Sequence, residues 1–221
     1  MPSYLIYHPA RAVSVFDGRT VHYDHASNNQ DPYVWNEQFL HTYCHITQMR
    51  GEEGQINFWI SGGNLRQFTQ LFCDLVFVVE RKIYWERANQ IDRRDPLIDS
   101  ADAFKDHYRW AMYQHPFKTR RRYTLKADAA RSFQPQRADG ALLDIVPFLA
   151  ERGLGLDALR RGLRAGFNSR PMPLGDELAR ELYDWLAAEA EVRLTGAELR
   201  AIRRRHPQLA SPAPAGAAEP C

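Results

Sequence analysis

The sequence is poor in the features that usually betray a function. Its 221 residues include three cysteines, Cys44, Cys73 and Cys221, and so odd and sparse a set makes no disulfide framework. Cys73 heads an apolar run and is expected to pack as a small hydrophobe. Long hydrophobic runs are lacking: the longest, Leu75 to Val79, falls far short of the roughly 20 residues a spanning helix needs. The opening MPSYLIYHPARAV has no basic segment leading into a long apolar one, so no signal peptide is expected. A soluble, cytoplasmic chain with no membrane partner is the expectation. An excess of one charge is also missing. With 29 Lys and Arg against 27 Asp and Glu, the formal charge is +2, which does not by itself point to a polyanion. No internal repeat and no strong catalytic fingerprint is found, and neither a cofactor nor a bound metal is expected.

What is present is an ordinary globular composition, 44% hydrophobic and 25% charged, sufficient for a real core. The front half reads as strands. Tyr4–Tyr7 is a first short strand ended by Pro9, and Val13–Tyr23 is a hairpin with Asp17-Gly18 at its turn. Residues 24–32 form a loop, Trp35–His45 is open between helix and strand, and Gly51-Glu-Glu-Gly54 is a turn. Ile56–Ser61 and Leu71–Tyr84 are strands, and the unbroken centre of the second predicts cover on both faces. Asp99 and Ser100 open a helix over Ala101–Gln114 that Pro116 ends, and Arg120–Leu125 is a further strand.

From Ala138 onward, helical patterns follow at Leu142–Glu151, Asp157–Phe167, Asp176–Ala190 and Thr195–Arg205. The last opens with a capping box, Thr195 to Glu198. The tail from Pro207 is Pro/Ala-rich and expected to be disordered. The expected fold is α+β: a β-rich domain over 1–137, a small mixed barrel or sheet with flanking helices, then a helical region over 138–206.

Five groups of residues could carry chemistry. Strand side chains alternate, so Asp74, Glu80 and Lys82 are expected to share one face with Val76 and Val78. A strand ending in Glu-x-Lys resembles the metal-binding strand of PD-(D/E)xK nucleases, which implies carboxylates on a divalent cation and a lysine beside the attacking water. Here the second acid would have to come from Glu52 or Glu53, and the competing reading is a charged strand end meeting solvent. His41, Cys44 and His45, with His107 and His115, offer half a zinc site without its second ligand pair, against ordinary core or surface histidines.

The aromatic set Trp35, Phe58, Trp59, Tyr84, Trp85, Tyr108, Trp110 and Tyr123 fills a core or lines a base-stacking pocket. Lys118, Arg120, Arg121, Arg122 and Lys126, with Arg131 and Arg137 downstream, are the densest positive run. Guanidinium forks suit phosphate oxygens, and a salt-bridged strand is the alternative. The final helix carries Arg200, Arg203, Arg204 and Arg205, with Arg193 just before it. That is the layout of a recognition helix after a turn, or of arginines that complement a helix dipole.

The order YLIYHP, GQINFWISG, CDLVFVVERKIYW, a helix, then RRRYTL resembles the PUA-like superfamily in its EVE/YTH-like branch over residues 1–137. The resemblance implies a small barrel that binds nucleic acid, with Trp59, Trp85 and Trp110 caging a modified or flipped base and Arg120–Arg122 holding the backbone. The helical region lies outside that minimal fold and is expected to add contacts or self-association. A nucleic-acid or modified-nucleotide binding module is therefore the first expectation. A metal-dependent nuclease using Glu80 and Lys82, and a protein-interaction role, are the alternatives.

Overall fold

The computed structural model describes residues 3–8, 11–24, 51–84, 123–164 and 171–206. The readings of 25–50 and 85–122, of the 101–114 helix, and of the tail from Pro207 lie outside these residues.

The chain's strands are β1 (Ser3–His8), β2 (Arg11–Phe16), β3 (Arg19–Asp24), β4 (Ile56–Ser61), β5 (Phe72–Tyr84), β6 (Tyr123–Ala127), β7 (Phe133–Gln136), β8 (Met172–Leu174) and β9 (Val192–Thr195). The helices are α1 (Val146–Glu151), α2 (Leu156–Gly162), α3 (Asp176–Glu189) and α4 (Gly196–Arg205). Seven strands form one sheet in the order β8-β1-β4-β5-β7-β9, with β6 also on β5. β1 runs parallel to β4, and every other described pairing is antiparallel. Among the described residues no pairing joins β8 to β9, so the expected closed barrel is not seen; a mixed sheet with helices is.

β6 and β7 behave as one interrupted strand along β5. Ala127 pairs with Val79, and Phe133 with Val76. The chain between them loops out of the ladder, and the Ser132 hydroxyl accepts the Val78 amide at 3.0 Å in its place. The backbone donor left by the excursion is thereby satisfied.

Both faces of the sheet are covered, as the unbroken run in β5 predicts. Cys73, Val76 and Val78 pack with Leu5, Tyr7, Phe58 and Ile60 under α1, α2 and α3. Leu75, Phe77 and Val79 pack with Tyr4, Ile6 and Trp59 under the β2–β3 hairpin and α4. α3 turns Ala179, Leu182 and Leu186 inward, the stripe that a 3.6-residue repeat produces. Arg152 ties α1 to α3: its guanidinium lies 3.6 Å over the Phe148 ring and its Nε donates to Glu181 at 2.5 Å.

Segment 138–206 departs from the all-helical expectation. It supplies β8, paired with β1, and β9, paired with β7, so both edges of the sheet come from the back of the chain. Its helices share one core with β1, β4 and β5, and no packing boundary falls at 137/138.

The hairpin forms where Asp-Gly requires it. Asp17 (φ 52°) and Gly18 (φ 75°) both take left-handed angles, the type I′ turn that suits strand twist. Side-chain amides dock it on the sheet. Gln134 accepts the His22 amide at 3.1 Å and donates back to the His22 carbonyl. Gln136 donates to Thr20 O at 2.9 Å, and His22 Nε2 lies 2.8 Å from Gly140 O.

At its turn the hairpin is clamped to α4. Asp17 accepts from Arg205 Nε at 2.7 Å and lies 3.0 Å from His206 Nε2, and Arg19 pairs with Glu198. Burial pushes the Glu198 carboxyl upward. The Thr195 amide and hydroxyl, both capping it at 2.9 Å, and Arg19 outweigh that and hold it below its ordinary value. Bonds from His206 and then Arg205 likewise lower Asp17. A carboxyl lowered by folding stabilises above its unfolded pKa and loses that contribution as pH falls through the folded one. The denaturant midpoint of wild type is therefore expected to exceed that of Glu198→Gln at neutral pH. The difference should shrink as acid titrates the folded carboxyl, below the ordinary glutamate range. A difference that persists unchanged in acid refutes the clamp as a charged one.

Candidate nucleic-acid interface

β5 is buried from Cys73 through Val79, while Glu80 and Arg81 are exposed. Beyond that point, among the described residues, β5 pairs with β6 alone, and along this β5–β6 ribbon Arg81 stands opposite Lys126, Lys82 opposite Leu125 and Tyr84 opposite Tyr123. The register thus sets two basic residues, Arg81 and Lys126, at opposed positions. In sequence, Trp85 follows Tyr84 and Arg122 precedes Tyr123. The candidates Trp85, Trp110, Lys118, Arg120, Arg121 and Arg122, with His41, Cys44, His45, His107 and His115, lie outside the described residues.

Trp59 is corrected. It is 0% exposed in the middle of the sheet, so its ring cannot stack on a base at the surface. Of the adjacent pair, Phe58 enters the core under the helices and Trp59 the one under the hairpin. Neither ring of the pair reaches solvent, because this sheet is covered on both faces.

The shared face expected of Asp74, Glu80 and Lys82 is also corrected. Trp59 pairs with Leu75 and Ile60 with Cys73, which leaves Asp74 as the extra residue of a β-bulge. Val79 pairs with Ala127 and Arg81 with Lys126, so Glu80 is the extra residue of a second one. A bulge resets the alternation, and the two acids stand roughly 20 Å apart along the strand at its usual rise. Asp74 is buried and accepts from Ser61 Oγ at 2.8 Å. Burial, and then the Asp74 charge, raise the Tyr7 hydroxyl and hold the Cys73 thiol well above its usual range. Cys73 is thus a buried, protonated thiol, as its place in an apolar run predicts. Among the described residues no three His, Cys, Asp or Glu side chains are grouped to hold a metal.

The final helix is not the second half of a helix-turn-helix. The apolar link Val192–Leu194 is part of β9, and α3 and α4 lie on opposite faces of the sheet. Leu199 and Ile202 of α4 face inward, and Arg205 is held by Asp17. Arg131, Arg137, Arg193 and Arg204 are exposed. Sequence reasoning passed over Arg81, whose importance depends on the register with β6.

Comparison of the chain with protein-family models, with curated proteins and with solved structures finds no significant match. The fold by itself defines an α+β protein with one mixed sheet covered on both faces. Among the described residues no helix is long and apolar enough to cross a membrane.

Proposed function

We propose that this chain binds nucleic acid or a modified nucleotide, with the β5–β6 ribbon as its contact to phosphates. The observation that carries the reading is the register that sets Arg81 opposite Lys126, just past Val79, the last residue in the buried run of β5. Lys118, Arg120, Arg121 and Arg122 lead directly into β6 in sequence, and the proposal assigns this positive run to the same contact. Phosphate oxygens would offset the repulsion between the paired cations and accept from the guanidinium forks. Kinship with PUA-like proteins of the EVE type is part of the same proposal, and it rests on the order of strands in the front of the chain.

The test is binding of labelled single- and double-stranded DNA and RNA over a salt series, comparing wild type with the quadruple variant Arg81→Ala, Arg120→Ala, Arg121→Ala, Arg122→Ala. Wild type is expected to bind at low salt. The slope of log affinity against log salt should shrink in the variant by about 0.7–0.9 for each phosphate that is no longer neutralised. Absence of wild-type binding at low salt overturns the proposal. Attention would then pass to a protein partner, for which the apolar Val13 and Val15, 52% and 67% exposed on the hairpin, are the observation in favour.

A further inference from the structure

The two strands of the β2–β3 hairpin differ in what meets their outer edges. Phe16 and Arg19 close the turn at Asp17-Gly18. In a type I′ hairpin the closing pair exchanges backbone bonds, and bonded pairs then alternate with unbonded ones. Ser14 and Val21 are thus a bonded pair, whereas Val13 with His22 and Val15 with Thr20 are not. Those four residues turn their backbone groups outward. On β3 the outward groups are served: Gln134 holds both the amide and the carbonyl of His22, and Gln136 donates to the Thr20 carbonyl at 2.9 Å. On β2 the N–H and C=O of Val13 and Val15 point the opposite way. Among the described residues β2 pairs with β3 alone.

The side chains repeat the contrast. Val21 is buried and Phe16 packs against the same core, so Val13 and Val15 stand on the other face of the hairpin. Over β3 that face meets Gly140, whose carbonyl lies 2.8 Å from His22 Nε2. Over β2 it is open, and Val13 and Val15 are the exposed large hydrophobics among the described residues. Edge strands are usually blunted by lysine, proline or a bulge. The run Ala12–Phe16 has no charge and no proline, and its register is unbroken. Such an edge is a template for a further strand.

We propose that this edge receives the same edge of a second copy of the chain, β2 running antiparallel to β2 about a two-fold axis at Ser14. The outward groups of Val13 then meet those of Val15 of the second copy, and the reverse, with two backbone bonds for each pairing. The valines of both copies form one apolar strip on the open face. The same register brings Arg11 level with Asp17 of the second copy, whose carboxylate stays part-exposed beside Arg205. Opposite charges thus meet at both ends, and no like charges are opposed. Self-complementarity of this kind is what a two-fold interface requires, and it favours a second copy over a strand of another protein. A contact of this length buries less than the roughly 1,200 Å² of a standard interface, so the dimer is weak and depends on concentration. The inference stands apart from the nucleic-acid reading.

The experiment is sedimentation equilibrium of the full chain, freed of nucleic acid so that no polynucleotide bridges two copies. The average mass of wild type is expected to rise from 25.6 kDa toward twice that value as concentration goes from micromolar to millimolar. The double variant Val13→Lys, Val15→Lys sets like charges opposite one another across the axis. It should keep the wild-type unfolding midpoint and stay at the mass of one chain throughout. Wild type that remains monomeric up to millimolar concentration overturns the proposal. A double variant that dimerises as wild type does also overturns it, because the interface then lies elsewhere. Should the double variant not fold, Val15→Pro decides. It removes one outward N–H, leaves the ladder to β3 in place and should weaken the dimer at least tenfold. An unchanged dimer in that variant sinks the edge pairing.

Discussion

Trp59→Ala is expected to lower the stability of this protein by about 3–5 kcal/mol, the range for truncating a fully buried large aromatic. Among the described residues Trp59 is the largest fully enclosed side chain, on a central strand between Leu75 of β5 and Ile6 of β1. Strands on both sides fix its backbone, so the surrounding structure has little freedom to close the cavity. Domains are stable by only about 5–15 kcal/mol in total, so the variant should be largely unfolded near its working temperature or in mild denaturant. Trp59→Phe keeps most of the volume and should keep the fold. Urea unfolding followed by far-UV circular dichroism measures both. A cost under about 1 kcal/mol for the alanine variant, typical of a surface position, would contradict the burial of Trp59 and make it an exposed stacking residue after all.

The second large effect is expected at Gly140. Its φ of +84° lies in the left-handed region, where a side chain costs about 1–2 kcal/mol. A Cβ there would also stand 2.5 Å from Thr20 Oγ1 and 2.7 Å from Thr20 Cβ, an overlap of a kind that costs about 1–3 kcal/mol more. Thr20 and His22 belong to the hairpin strand that Gln136, Gln134 and Gly140 hold against the sheet. Gly140→Ala should therefore lose roughly 2–5 kcal/mol and free the hairpin before the rest of the sheet. Amide exchange at His22, whose N–H is held by Gln134 at 3.1 Å, should accelerate more than exchange within β4. Gly153→Ala is the control: its φ is +82° but no atom lies within 4 Å of the added carbon. It should show the backbone cost alone, and equal losses in the two variants would remove the overlap with Thr20 from the account.

Much of the fold is legible along the chain because the physics there is local. Asp17-Gly18 specifies a hairpin turn since few residue pairs tolerate two positive φ angles. Thr195 and Glu198 specify a helix start, and the cap forms between these two residues at 2.9 Å. The short strands are not legible. Met172–Leu174, Val192–Thr195 and Phe133–Gln136 are three or four residues each, too few for a period. Met172–Leu174 is a strand because β1, from the start of the chain, offers it a free edge.

The candidate site divides in the same way. The positive run at 118–126 is visible in the sequence, whereas the shared face read for Asp74, Glu80 and Lys82 is misassigned there because two single-residue bulges at Asp74 and Glu80 leave no mark in the alternation. Asn57 is plain in the sequence as a residue, and only its burial makes it an amide with no partner among the described residues.

The sequence by itself determined the turn, the cap, the apolar runs of β4 and β5 and the place of the basic cluster, since each depends on neighbours a few residues away. The tertiary structure decided which runs pair, that a seemingly separate back half closes both edges of the front sheet, and which faces are covered. Those outcomes depend on contacts between residues more than a hundred positions apart, such as Gln134 with His22, and on single-residue shifts of register that reverse the direction of a side chain without changing its chemistry.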